Sequence, residues 1–352
     1  MSSKLLIYGA NGYTARLKVE LCQGYNLSPV LGGRNAPAIG ALATNYNLPF
    51  RIFDLGSVAH IAANLKDIKA VLHCAGPFEN TAKPIMEACL QAGVHYLDIT
   101  GEIGVFEKAK QMDQRARERN IMIMPGVGFD VVPTDCLALA LKERLPDATH
   151  LELAFASLGG GISHGTASTM VQGLGKAGAA RAEGVVTPEP TGKYGQWIDF
   201  GNKKLFTISI PWGDVSTAFH TTGIPNIRVF TGAKPSAYRL LKWQWAYNWL
   251  LRTKWVKNLI QNRIDNGPAG PNVKILQESR SLIWGKVRNA KNETAEARYS
   301  VPNGYALTAH AALHIAERVL KDDWRPGYQT PAGCYGSNLV QQLENVKTLE
   351  WL

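Results

Sequence analysis

The apolar positions of the first third of the chain come in short runs separated by amphipathic stretches. Lys4–Tyr8 is an apolar run closed by Gly9, and a helix-length segment follows from Gly12 to about Tyr25. The alternation then repeats. Pro29–Leu31, Phe50–Phe53, Ala70–Cys74, Val94–Ile99 and Ile121–Met124 read as strands. Ala38–Tyr46, Val58–Leu65, the segment around Pro84–Gln91 and Val105–Arg119 read as helices. Short strands alternating with longer helices predict repeated βαβ units and a doubly wound parallel sheet of the Rossmann type, with 3-2-1-4-5-6 the commonest strand order. Further on, Leu151–Ala156, Lys204–Ile210, Val215–His220, Ile227–Phe230, Ser281–Val287 and Glu296–Val301 have strand character, while Ala306–Leu320 and Gly336–Leu343 have helical pattern.

The 352 residues suffice for two domains. With 45% hydrophobic and 19% charged residues the balance is that of a globular protein. No window of about 18 apolar residues occurs, and the start has no basic region followed by a long apolar one. The expectation is a soluble, cytoplasmic protein. Five scattered cysteines without Cys-x-x-Cys spacing suit a reducing compartment and predict no metal site. The net charge of +10 is uneven, with +9 of it in residues 151–352.

The first strand runs into Gly9-Ala10-Asn11-Gly12-Tyr13-Thr14-Ala15. A phosphate-binding turn needs glycine where the backbone bends and where a side chain would block the pyrophosphate, and the following helix aims free N–H groups at the phosphates. The spacing is Gly-x-x-Gly-x-x-Ala, with Ile7 at the place of the first glycine of the full fingerprint; its position between a strand and a helix supports the cofactor reading. At the end of the second strand Arg34 stands where an NAD enzyme places an acid, and its planar guanidinium suits a 2′-phosphate, so the sequence points to NADP(H). Asp54, after strand three, is expected near the adenine; Ala75-Gly76-Pro77-Phe78, after strand four, near ribose and nicotinamide.

Taken in order, GANGYT at 9–14, GGR at 32–34, HCAGPF at 73–78, EACLQAGVHYLDITGE at 87–102 and PGVGFDVVPTD at 125–135 resemble the saccharopine dehydrogenase-like NADP-binding oxidoreductases, which include trans-acting enoyl reductases. GP at 267–268, RSLIWGKV at 280–287, GYALTA at 304–309 and TPAG at 330–333 are similar too. The resemblance implies a Rossmann domain over 1–128, an α+β domain over 129–303 whose sheet covers the cofactor and often mediates dimerisation, and C-terminal helices, about 304–352, returning to the Rossmann domain. A homodimer is therefore expected.

Substrate should lie over the carboxyl ends of the strands. Two loops there carry candidate chemistry. In Tyr96-Leu97-Asp98-Ile99-Thr100-Gly101-Glu102, Asp98 or Glu102 could accept a proton, orient substrate or cap a helix; the capping box from Thr100 is poor, because Ile103 stands at its third position. In Gly126–Asp135, Phe129 and Asp130 are candidates to line the nicotinamide pocket, with turn formation the alternative for Asp130, and Asp135 fits the first turn of a helix. The run Gly159–Thr166 offers His164 and backbone N–H groups to an anionic substrate group, or is a plain connection. His73 and His95 lie in expected strands and read as core. No Ser-His-Asp, His-Glu-x-x-His or Tyr-x-x-x-Lys arrangement nominates other machinery, and no proton donor is named by motif.

Tyr238–Ile260 holds Trp243, Trp245, Trp249 and Trp255 among basic residues, and no acid lies between Asp214 and Asp265. Three readings stand: a helix docking peripherally on anionic lipid, a lid over an acyl substrate, or an internal or subunit-interface helix. Nucleic acid has no supporting motif. The whole reads as an NADP-dependent oxidoreductase transferring hydride to or from a small-molecule or acyl substrate. The alternatives are a lipid or polyketide enoyl reductase and a non-catalytic NADP-binding scaffold at a membrane surface.

Overall fold

The computed structural model describes residues 4–352. It divides into two units, one made of the residues through Val132 with Tyr305–Tyr335, the other of Pro133–Gly304 with Gly336–Leu352. In the first, strands β1 (Lys4–Tyr8), β2 (Val30–Gly33), β3 (Phe50–Ile52), β4 (Ile68–His73), β5 (His95–Asp98) and β6 (Met122–Met124) alternate with helices. These are α1 (Tyr13–Leu21), α2 (Ala36–Tyr46), α3 (Val58–Ala63), α4 (Phe78–Ala92), α5 (Ile103–Gln111) and α6 (Asp113–Glu118). All pairs are parallel, in the order β3-β2-β1-β4-β5-β6, with Gly327–Tyr328 added beyond β6. This is the expected order plus one strand. The expected helix 105–119 is two, broken at Met112, and Asp113 accepts the backbone N–H of Tyr328 at 2.8 Å.

Register positions the site. Tyr8 lies beside Gly32 on one side and His73 on the other, and His73 beside Asp98. The carboxyl ends of four neighbouring strands therefore form one row, and the loops that follow them open at the same edge. Leu6, Val71, Tyr96 and Ile123 are buried in the core beneath α3, α4 and α5, so the row is fixed by a packed sheet.

The second unit begins with α7 (Val132–Arg144) and β7 (His150–Leu158), followed by α8 (His164–Gly173). Next come β8 (Gly178–Ala182), β9 (Val185–Glu189), β10 (Gly195–Asp199), β11 (Lys204–Ile210), α9 (Asp214–Thr222) and β12 (Asn226–Gly232). Helices α10 (Pro235–Lys242), α11 (Gln244–Leu251), α12 (Lys254–Asp265) and α13 (Val273–Glu278) precede β13 (Arg280–Arg288) and β14 (Thr294–Pro302). Its sheet is mixed, β12 running parallel to β7 and the other pairs antiparallel, as an α+β domain should be. A core of Ala154, Phe200, Phe230, Leu282 and Trp284 lies against it.

Two expectations fail here. Residues 215–220 are helix α9, not strand. The β-branched run is accommodated because Thr217, Thr221 and Thr222 donate to carbonyls four residues back, and Gly223 in the left-handed region (φ 72°) ends the helix. Residues 336–343 hold only a 3-10 turn at Val340–Gln342. After α14 (Gly304–Leu320), β15 (Gly327–Tyr328) and α15 (Pro331–Tyr335), the tail does not stay with the Rossmann unit. Its β16 (Glu350–Trp351) pairs antiparallel with β14, and the Arg298 guanidinium holds both oxygens of Glu350 at 2.9 and 2.8 Å.

Candidate active site

The turn after β1 is built for close approach. Gly9 has φ 81°, and a side chain there would bring Cβ to 2.7 Å from Ala75 Cβ and 2.8 Å from Ala75 N. Glycine is required on both counts. Its N–H and that of Ala10 donate to Gly32 O at 2.8 and 3.1 Å, which moors the turn to the end of β2. Gly12 caps α1 in extended conformation without a side-chain hydrogen bond, and no acid lies in the first turn. The helix end thus offers N–H groups and a positive dipole end to an anion, with Gly12 leaving open the space a side chain would fill. Asn11 reaches towards Gly33 across the turn; Thr14 stands in the first turn of α1, and Tyr13 meets Tyr305 edge to face at 5.4 Å.

Arg34 follows β2 directly and is exposed; Asn35 caps α2 by accepting from Ala38 N at 3.1 Å, so the guanidinium is not engaged in the cap. Asp54 is exposed, and one of its oxygens accepts from Gly56 N at 2.9 Å, which makes it in part a turn former. Ala75 and Gly76 sit against the Gly9 turn and the Phe78 ring respectively, and Pro77 precedes α4. Beneath them His73 is fully buried; burial pulls its pKa down to about 3, and its ring engages Thr81 Oγ1 at 3.0 Å. It is a neutral core residue, as expected. His95 is likewise buried and accepts from Met122 N at 3.0 Å.

The three candidate carboxylates occupy different chemical situations. Asp98 is fully buried and accepts from Tyr96 Oη (2.7 Å), Thr100 N and Gly126 N (both 2.9 Å). Burial pushes its pKa up to about 6 even with these donors. Its oxygens are occupied in binding the end of β5 to the loop after β6, which makes it a positioning residue. Glu102 accepts from Phe78 N (3.0 Å) and Glu79 N (2.6 Å). It therefore caps α4, whose own N-cap Pro77 has no side-chain bond to give. The failed capping box beside it is explained: the carboxylate serves a different helix.

Asp130 differs from both. Among the described residues nothing donates a hydrogen bond to its carboxylate, and burial followed by the charge of Glu102 pushes its pKa up to about 7. One edge of the residue remains accessible. The carboxyl rests on Gly101, where a Cβ would stand 2.5 Å from Oδ2. Phe129 beside it is nearly buried, its N–H donating to Thr308 Oγ1 at 2.9 Å. Sequence reading missed Gly101, Tyr96 and Thr308. Tyr96 carried a signal, since residues two apart on a strand share a face; Thr308, from α14, carried none. His164 of the third loop opens α8, which Ser163 caps, and its ring hydrogen-bonds the carbonyl of Ile264. Among the described residues no cluster of His, Cys, Asp and Glu could hold a metal ion, and no helix is long and apolar enough to cross a membrane.

A parallel sheet in this order with a glycine cradle at the first turn is the arrangement of a dinucleotide-binding Rossmann domain, and Arg34 stands exposed after β2. Residues 5–124 match the family model of the saccharopine dehydrogenase NADP binding domain and are an NADP-binding domain of that kind. The chain is 25% identical to the mouse saccharopine dehydrogenase-like oxidoreductase over 202 residues, covering 50% of this chain and 47% of that protein. It is 26% identical over 188 residues to a Mycobacterium tuberculosis protein named as a trans-acting enoyl reductase (49% and 44% covered). A lipid droplet localized protein of Caenorhabditis elegans is 26% identical over 211 residues (53% and 49%). The matched stretch thus spans about half of this chain and just under half of each relative. In fold, 99% of the chain superposes on all of the apo L-Glu-forming saccharopine dehydrogenase of Saccharomyces cerevisiae, with TM-score 0.68 at 9% identity. The sequence likeness to the saccharopine dehydrogenase NADP binding domain thus covers residues 5–124, and the chain shares the fold of the yeast enzyme.

Proposed function

We propose that the protein is an NADP-dependent oxidoreductase in which Asp130 carries the proton that accompanies hydride transfer. The observation that carries this reading is the contrast among the three carboxylates. Asp98 and Glu102 are occupied by donors, whereas Asp130 keeps its oxygens available, has a proton affinity near neutrality and lies on the strand-end edge that holds the cradle. The Gly9 turn and the α1 terminus would hold the pyrophosphate, and Arg34 the 2′-phosphate. Bound there, the nicotinamide supplies or takes the hydride, and the chain's own work is to orient it and exchange one proton at Asp130.

The substrate is a small molecule or an acyl group. Enoyl reduction is the second reading, favoured by the mycobacterial relative's name. We further propose a homodimer, supported by β10 and its exposed Trp197, whose outer edge has no strand partner among the described residues and offers ladder groups to a second copy. A cytoplasmic location is supported by the five cysteines, all free and four of them buried. The test is a panel of imines, 2-oxo acids and enoyl thioesters offered with NADPH. Loss of reduced-nicotinamide absorbance with one class, abolished in Asp130→Asn, is the expected result. NADPH binding with no turnover across the panel would establish the non-catalytic scaffold instead.

A further inference from the structure

Helices α10, α11 and α12 carry large apolar side chains on their outer as well as their inner sides. None of their residues is fully buried; Leu241, Leu251, Val256, Ile260 and Ile264 are half-buried, and polar contacts tie the helices to the rest of the second unit. Lys242 Nζ donates to Lys193 O (2.8 Å), Gln244 Nε2 to Thr191 O (2.9 Å) and Arg252 Nε to Gly175 O (2.7 Å). Lys257 Nζ donates to Gln172 O (3.0 Å), and Gln261 Nε2 reaches Ser168 Oγ (2.9 Å). Tyr238 packs against Phe206, and Leu241 lies over Gly192. The side chains left in solvent are Leu240, Trp243, Trp245, Trp249, Trp255 and Leu259, each 57–73% exposed. A surface helix of a water-soluble domain keeps its apolar residues on the inward stripe and polar ones outward, so these exposed indoles and leucines stand outside that pattern. Trp243 lies 6.3 Å from Trp245, and Trp249 follows Trp245 one turn along α11; at about 150–250 Å² of surface per indole, this cluster exceeds what scattered exposed residues explain.

Charge decides what covers the patch. Lys234, Arg239, Lys254 and Arg263 are exposed in the same segment, and no acidic residue occurs between Asp214 and Asp265. A second copy would set two basic faces against each other. A lid over substrate would hold the indoles inward, away from water. An anionic bilayer supplies what the patch lacks, headgroup charge for the cations and an interfacial layer in which indole is preferred. The helices have 8, 8 and 12 residues, well short of the roughly 20 needed to cross the hydrocarbon core, so they lie on the surface.

We propose that Pro235–Asp265 is a peripheral docking surface for anionic phospholipid bilayers, with the indoles seated at the headgroup level and the basic side chains on the lipid phosphates. The proposal is independent of the catalytic reading. The full chain is to be co-sedimented with vesicles of phosphatidylcholine containing phosphatidylglycerol, and with vesicles of phosphatidylcholine alone. The expected result is binding to the anionic vesicles that high salt releases, with little binding to the neutral ones. Binding should fall at least about tenfold in Trp243→Ser/Trp245→Ser/Trp249→Ser and, separately, in Arg239→Glu/Lys254→Glu. Both variants should keep the wild-type circular dichroism and NADPH affinity. The charge-reversal pair, on exposed side chains, preserves the test if the tryptophan variant misfolds. Absence of sedimentation with anionic vesicles, equal binding to neutral ones, or a dimer that the tryptophan variant turns into a monomer would each overturn the proposal.

Discussion

Asp130→Asn should lower turnover by about 10²–10⁴ while leaving NADPH affinity nearly unchanged. Asn keeps the size of the side chain on Gly101 and removes only the ability to exchange a proton, so the loss belongs to kcat. The pH profile adds a readout that a structural role would not move. With a pKa near 7, the wild-type reductive rate should decline as pH rises through that value, because the proton donor is lost, and the reverse reaction should decline as pH falls through it. Stability should fall over the same pH range as the reductive rate. The folded pKa lies above the unfolded one, so the native state binds more protons between the usual carboxylate range and about 7. Stability is therefore full at low pH and is lost as pH rises through that window. Asp130→Asn avoids burying a charge, and at about pH 8 it should unfold later than wild type, by roughly 2 kcal/mol, the gap closing below about pH 4. A variant both inactive and more stable, measured by thermal melts across pH, is the expected pattern. A variant of unchanged turnover would remove Asp130 from the chemistry.

Gly9→Ala should cost at least about a hundredfold in NADPH affinity. The added Cβ would sit 2.7–2.9 Å from three Ala75 atoms, two of them backbone, and backbone cannot swing aside as a long side chain can. The left-handed φ of 81° adds strain for any residue with a Cβ. Relief requires the Gly9 turn, which would hold the pyrophosphate, to separate from the Ala75 loop, which is expected near ribose and nicotinamide. Gly24→Ala, where a Cβ meets nothing within 4 Å, is the matched control and should bind as wild type does. Isothermal titration of both variants, with circular dichroism to confirm folding, checks the prediction. Equal affinity of Gly9→Ala and wild type would mean that the turn is not the phosphate cradle.

The fold of the first unit was legible because its determinants are local. Short apolar runs, turn glycines and helix-length spacers predict βαβ units, and right-handed crossovers leave few orders to choose from. The second unit was less so. Strands β8, β9 and β10 are rich in glycine, proline and polar residues and give no strand pattern, while the β-branched residues of α9 read as strand and its threonines bond back to their own helix instead. At the site, residue types were readable and roles were not. Asp98, Glu102 and Asp130 are equivalent as letters. What separates them is whose N–H groups they meet, and those come from Gly126, Phe78 and Glu79, 28, 24 and 23 residues away. Thr308, which holds Phe129, is 179 residues distant. Such partners are decided by strand register and chain return, beyond the reach of any local pattern.

Titration of the purified protein with NADPH and with NADH, repeated on Arg34→Ala, tests the central claim most directly. The account predicts tight NADPH binding, weaker NADH binding, and a selective loss in Arg34→Ala of about ten- to a hundredfold for NADPH with NADH little changed, the effect of removing one charge-assisted contact to the 2′-phosphate. Binding of neither nucleotide, or an Arg34→Ala variant that weakens both alike, would contradict it.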